Sequence, residues 1–133
     1  MAETVSLQLP EKLHQRLVNT AQAMGRPLEA VILHAIAVGS PPNCDDVPEE
    51  YQPELAMLDK LEDSALWQIA RAQKSRADME RYDELLEHNR ESRLSESEQL
   101  ELLRLRQESE QFMLRKAHAA SILKWRGHQV SAA

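Results

Sequence analysis

The chain has 133 residues with 16 basic and 22 acidic side chains, and only 4% of its residues are aromatic. This length suits one ordinary domain or two very small ones, and the formal net charge of −6 argues against a generally basic nucleic-acid-binding protein. A single cysteine excludes an internal disulfide, and no apolar run approaches the roughly 20 residues that a membrane span needs. We therefore expect neither a signal peptide nor a membrane anchor, and a cytoplasmic location.

The first predicted element is a short strand over residues 4–9. Its side chains alternate between a polar set and an apolar set, which is typical of a β-strand with one buried face, and Pro10 ends the alternation. No other segment resembles a strand, so we predict that this one pairs antiparallel with the same strand of a second copy. The polar set is Thr4, Ser6 and Gln8, and the apolar set is Val5, Leu7 and Leu9.

Two helices are predicted next, from about Glu11 to Met24 and from about Pro27 to Val38, with Gly25 in the turn between them. The second helix is apolar on nearly every side, and about 40 residues are too few to bury it. We therefore predict an obligate homodimer. Its predicted core comprises Val5, Leu7, Leu9, Leu13, Leu17, Val31, Ile32, Ala35 and Ile36.

The acidic residues are concentrated after these helices. Residues 1–40 have no net charge, whereas 41–63 hold eight acidic groups and one basic group. Because this stretch is also rich in proline, we predict a linker over 41–62 that separates a domain at 1–40 from a helical module at 63–127 and a tail at 128–133.

The second module is predicted to be helical throughout. A short helix begins at Asp63 or Ser64, another begins near Ser75, and a long helix begins at Ser95 and ends near Gly127. Ser95 and Glu98 have the spacing of a capping box. The two long helices should form an antiparallel hairpin.

The N-terminal segment "TVSLQLPEKLHQRLVNTAQAMGRPLEAVILHAIAVG" resembles a ribbon-helix-helix domain. The strand ending in Leu9-Pro10, the helix with Leu13 and Leu17, the Gly25-Arg26 turn and the apolar helix carry this resemblance. It implies a mainly α fold: a dimerisation domain of one strand and two helices, followed by the helical hairpin module.

The resemblance also implies DNA binding. Outward strand residues of that family read bases in the major groove, which assigns Thr4, Ser6 and Gln8 here, and the second helix's N-terminus holds a phosphate near Arg26, Pro27 and Leu28. The strand face departs from the family in having no Lys or Arg. Many such proteins are antitoxins whose C-terminal part neutralises a co-encoded toxin.

Chemistry of other kinds is not predicted. No two histidines have metal-ligand spacing, no second cysteine joins Cys44, and there is no glycine-rich phosphate loop, so we expect neither a metal, a cofactor nor an enzyme. Aromatic and basic residues do cluster in the second module. The predicted partner-binding residues are Trp67, Lys124, Trp125 and Arg126.

Two functions are therefore kept open. The first is a dimeric DNA-binding repressor or antitoxin that regulates its own operon and binds a toxin protein, possibly nuclease-like, through its C-terminal part. The alternative is a dimeric helical adaptor that binds no DNA and uses the N-terminal domain only to dimerise. The absence of basic residues from the strand face sustains the alternative.

Overall fold

The computed structural model describes residues 2–131, and this part of the chain folds into two compact units that divide after Ser40. No helix within it is long and apolar enough to cross a membrane. The α-helices are α1 (Glu11–Met24), α2 (Leu28–Gly39), α3 (Gln52–Met57), α4 (Asp63–Ala70), α5 (Arg76–Arg90) and α6 (Glu96–Trp125), and a 3₁₀ turn covers Leu58–Lys60.

The predicted N-terminal strand is wrong. Residues 2–10 precede α1 without regular secondary structure, and the described residues contain no strand at all. Alternation of polar and apolar side chains gives a segment two faces, but a strand also needs a neighbour to share its backbone hydrogen bonds. The single chain offers residues 4–9 no such neighbour, so the ribbon-helix-helix fold is not supported and the architecture is mainly α.

In the first unit, α1 and α2 pack together around a very small core. Gly25 ends α1 in a left-handed conformation at φ +64°, and the N–H of Arg26 donates to the carbonyl of Ala21 at 3.0 Å. Among the described residues of this unit, only Ala21 and Val31 are buried. So small a core leaves most of the apolar surface of α2 uncovered.

The segment predicted as a linker is instead part of the second unit. Residues 41–62 contain α3 and the 3₁₀ turn, and they bring Leu55 and Leu58 into the same core as Leu66 of α4 and Leu123 of α6. Proline and acidic residues dominate the composition of this stretch, but a few well-spaced apolar side chains are enough to fix it to a helix face. Composition alone therefore gave the wrong picture of this segment.

The predicted helical hairpin is present at the other end of this unit. Ser95 caps α6, its side chain accepts from the Glu98 N–H at 3.2 Å, and the Glu98 carboxylate accepts from the Ser95 N–H in return, which confirms the capping box. Leu85 of α5 packs against Leu102 and Leu105 of α6 in a second, smaller core. The long helix α6 thus serves two separate cores, one near each end.

Candidate functional site

The first candidate site is an apolar groove in the first unit, between residues 5–9 and one face of α2. We call it the α2 groove; its volume is about 770 Å³, and its apolar lining is Val5, Leu7, Leu9, Leu28, Ile32, Leu33 and Ile36. Val5 and Leu7 remain 75% and 70% exposed, and Leu33 is 60% exposed. Contiguous apolar exposure of this kind marks an interaction surface more often than an isolated apolar residue does.

The predicted dimer-core residues fall into three groups by exposure. Val31 is buried, and three others are half-buried: Leu9, Leu17 and Ile32. The remaining five are exposed: Val5, Leu7, Leu13, Ala35 and Ile36. Most of the predicted core therefore lies on the surface of the single chain, where a second copy would have to cover it.

The predicted DNA-contacting residues are also exposed, with one exception. Thr4, Ser6 and Gln8 lie in the irregular segment before α1, and Thr4 reaches the rim of the α2 groove. Arg26 and Pro27 are exposed in the turn before α2, whereas Leu28 is half-buried. These three residues help to line an open cavity of about 540 Å³ at the turn, in which Arg26 is the single cation among the lining residues described.

Of the four predicted partner-binding residues, two are occupied within the fold. The Arg71 guanidinium lies 4.3 Å from the centroid of the half-buried Trp67 ring, and the His128 ring meets the same ring edge-on. Arg126 bonds to residues that lead into α4. Lys124 and Trp125 are exposed, and Trp125 is 51% exposed.

Arg126 and His128 converge on Asp63 at the start of α4, in an arrangement that we call the C-terminal clasp (Asp63, Arg126, His128). The Asp63 carboxylate lies 2.8 Å from Arg126 Nη1 and 2.7 Å from His128 Nε2. Hydrogen bonds from Arg126 and His128 lower the pKa of Asp63 below its ordinary value of 3.8, although burial opposes the shift. Sequence reasoning noted these residues separately but had no means of joining them.

A buried histidine in the larger core is the strongest candidate for unassigned chemistry. His118 is 9% exposed, and its Nε2 lies 3.6 Å from Asp59 Oδ1 without a hydrogen-bond partner in the described part of the chain. No cluster of three metal-binding side chains occurs within residues 2–131. A histidine and a carboxylate alone provide neither a nucleophile nor an oxyanion site, so this pair points to no reaction class.

Comparisons of the chain with protein-family models, with curated proteins and with solved structures found no match. The surfaces of the chain itself therefore carry the functional inference.

Sequence reasoning missed a cleft in the second unit, between α5, α6 and the loop at 71–75. We call it the interhelical cleft; it has a volume of about 410 Å³, within the range of ligand and anchor pockets. Its principal lining side chains are Lys74, Met79, Tyr82, Phe112, Met113 and Lys116. The sequence did contain a signal: the inward positions of α6 are apolar near both ends but include Ser109 and Lys116 between them.

Proposed function

We propose that this protein is a dimeric regulator of the repressor and antitoxin type that acts in the cytoplasm. Two copies would associate through the first unit, which would also contact operator DNA, and the second unit would bind a co-encoded toxin protein. The observation that carries the proposal is the α2 groove, an apolar surface that the single chain leaves open.

Self-association is supported by the size of the core in the first unit. Ala21 and Val31 alone are buried there among the described residues, while Leu7, Leu33 and Ile36 remain at least half exposed. Burial of apolar surface contributes about 25 cal/mol per Å², so covering this face with an equivalent face would add substantially to the stability of both copies. An isologous contact satisfies this need with one surface.

DNA contact is supported by the side chains that stay outside the α2 groove. Ser6 and Gln8 are exposed and do not line it, whereas their neighbours Val5, Leu7 and Leu9 do. Hydroxyl and amide groups can donate to and accept from base edges, and an exposed guanidinium such as that of Arg26 can neutralise a phosphate. The exposed polar set would therefore remain available after two copies associate.

The DNA-binding part is tested by titrating the purified protein with the DNA upstream of its gene and with scrambled DNA, at two salt concentrations. Gln8→Ala should weaken binding to the upstream DNA by about 1–3 kcal/mol and leave binding to scrambled DNA unchanged. Gln15→Ala, which removes an exposed amide of α1 that bonds to Asn19, is the matched control. Arg26→Ala should weaken both complexes alike and reduce their salt dependence.

Self-association is tested separately by sedimentation. Leu33→Glu places a charge in the α2 groove and should produce monomers or unfolded chains at concentrations where the unaltered protein is dimeric. Val38→Glu makes the same change at a residue of α2 that is 73% exposed and lies outside the groove lining, so it should remain dimeric. A folded monomer of the unaltered protein at micromolar concentration would contradict the proposal.

A dimeric helical adaptor that binds no DNA is the second candidate. Residues 2–10 contain Glu3 but no Lys or Arg, and the first unit has no net charge, so its sequence-independent attraction to phosphates would be weak. A dimer that shows no preference for the upstream DNA, even with its partner protein present, would favour the adaptor over the repressor.

A further inference from the structure

The inward face of α6 has a gap between the two cores of the second unit. Residues that recur every three or four positions along this helix point to its neighbours. Leu102 and Leu105 pack against α5, and Ala119 and Leu123 pack against the core that includes α4. Between these pairs, Ser109, Phe112 and Lys116 line the interhelical cleft instead of meeting another helix.

The walls of this cleft are apolar and open to solvent. Tyr82 and Phe112 are half-buried, while Met79 is 49% exposed and Met113 is 62% exposed. Methionine side chains are flexible and polarisable, so they adapt to differently shaped apolar partners and are common at protein-binding surfaces. A cleft of about 410 Å³ with such walls accommodates one or two large apolar side chains from a partner.

The charged groups at the cleft differ in whether they are already satisfied. Lys116 Nζ donates to the Ala72 carbonyl at 3.1 Å, and Lys74 Nζ lies 5.7 Å from the centroid of the Phe112 ring. The carboxylates of Asp78 and Asp83 line the same cleft, and neither takes part in an ion pair within residues 2–131. The residues from 41 onward together carry a net charge of −6, because residues 1–40 are neutral and the whole chain has −6. The charge that remains available to a partner is therefore negative.

From these observations we propose that the interhelical cleft binds a basic amphipathic helix of the partner protein. Apolar side chains of that helix fill the space over Phe112 and Met113, and its Lys or Arg side chains pair with Asp78 and Asp83. This inference refines the toxin-binding part of the proposed function and rests on it. It also moves the partner contact away from Trp67 and Arg126, which are occupied within the fold.

The test uses the full-length protein with methionine methyl groups labelled for NMR, and a synthetic amphipathic helical peptide with leucines on one face and lysines on the other. The methyl signals of Met79 and Met113 should shift on titration. Met24 and Met57 serve as internal controls, because both are more than half exposed but lie outside the cleft. Equal shifts at all four methyl groups would overturn the proposal.

Variants then separate the two kinds of contact. Met113→Glu should weaken peptide binding by about tenfold or more, whereas Leu103→Glu, at an exposed position of α6 outside the cleft, should not. Asp78→Asn with Asp83→Asn should weaken binding and reduce its salt dependence. Asp45→Asn with Asp46→Asn removes the same charge from exposed residues elsewhere and should have a smaller effect.

Peptide composition decides whether charge matters. A peptide with glutamates in place of the lysines, or with neutral polar residues there, should bind at least about tenfold more weakly. Equal affinity of the neutral peptide would mean an apolar pocket without charge preference, and the proposal would fail. The result is independent of the DNA titration: a cleft that binds the peptide in a protein that ignores its upstream DNA would support docking in the adaptor, not the repressor.

Discussion

Arg126 and Asp63 are 63 residues apart in the chain, yet Arg126 Nη1 lies 2.8 Å from Asp63 Oδ1. The same guanidinium donates to the carbonyl of Leu61 at 2.9 Å and to that of Asp59 at 3.2 Å. These bonds fix the end of α6 to the beginning of α4. His128 adds a further contact to Asp63, since Gly127, at φ +102°, turns the chain back after α6.

Arg126→Lys tests whether the fork of the guanidinium matters as well as its charge. A lysine keeps the positive charge but cannot reach the carboxylate and two carbonyls from one planar group, so we expect a loss of about 1–2 kcal/mol in the free energy of unfolding. Urea denaturation measures the change. Arg104→Lys alters an exposed pair with Glu108 and should stay within about 0.5 kcal/mol of the unaltered protein. Equal effects of the two substitutions would show that the clasp adds nothing beyond a surface ion pair.

Leu66→Ala tests the larger core of the second unit. Leu66 of α4 is fully buried against α6, so the substitution should lower the free energy of unfolding by about 2–5 kcal/mol through lost burial and a new cavity. Leu100→Ala removes the same atoms from a side chain of α6 that is 68% exposed, and its effect should be below about 0.5 kcal/mol. Thermal and urea unfolding of both variants give the comparison.

The stability of the fold should fall in acid. Arg81 Nε and Nη2 each lie 2.8 Å from the Glu101 carboxylate, and these hydrogen bonds lower the pKa of Glu101 below its ordinary value of 4.5. The unfolded chain therefore takes up a proton at a higher pH than the folded chain does. The contribution of this group is present above pH 4.5 and is lost as the pH falls through the lower pKa of the folded state.

The acid dependence is measured by urea midpoints at a series of pH values from neutral to about pH 3. Glu101→Gln should lower the midpoint at neutral pH and make it less sensitive to acid, because this carboxylate no longer titrates. Glu87→Gln changes an exposed glutamate of α5 and should leave the slope nearly unchanged. The same sign applies to Asp63, whose pKa is also lowered, so Asp63→Asn should flatten the acid limb as well.

Ser95→Ala tests the start of α6. The Ser95 hydroxyl accepts from the Glu98 N–H, and loss of such a cap typically costs about 0.5–2 kcal/mol. Ser121→Ala, at an exposed position within α6, should be neutral or slightly stabilising because alanine favours the helix. Circular dichroism during thermal unfolding distinguishes these outcomes, and an unchanged melting temperature for Ser95→Ala would contradict the role of the cap.

The sequence by itself determined the helices and their ends. Local chemistry decides these features: Ser95 and Glu98 lie at capping-box spacing, Gly25 occupies a left-handed turn, and α1 runs over Glu11–Met24 as predicted. The α5–α6 hairpin also followed from two long helices separated by a short break.

Only the tertiary structure decided what those elements pack against. The alternation over residues 4–9 indicated two faces but could not supply a neighbouring strand, and none of the described residues forms one. Leu55 and Leu58 looked like isolated apolar residues in an acidic stretch until α6 provided the face that buries them. Asp63, Arg126 and His128, like the residues of the interhelical cleft, are distant in sequence and meet only because α6 passes along both cores. Local patterns encode backbone conformation, whereas contacts between distant residues depend on how the helices pack.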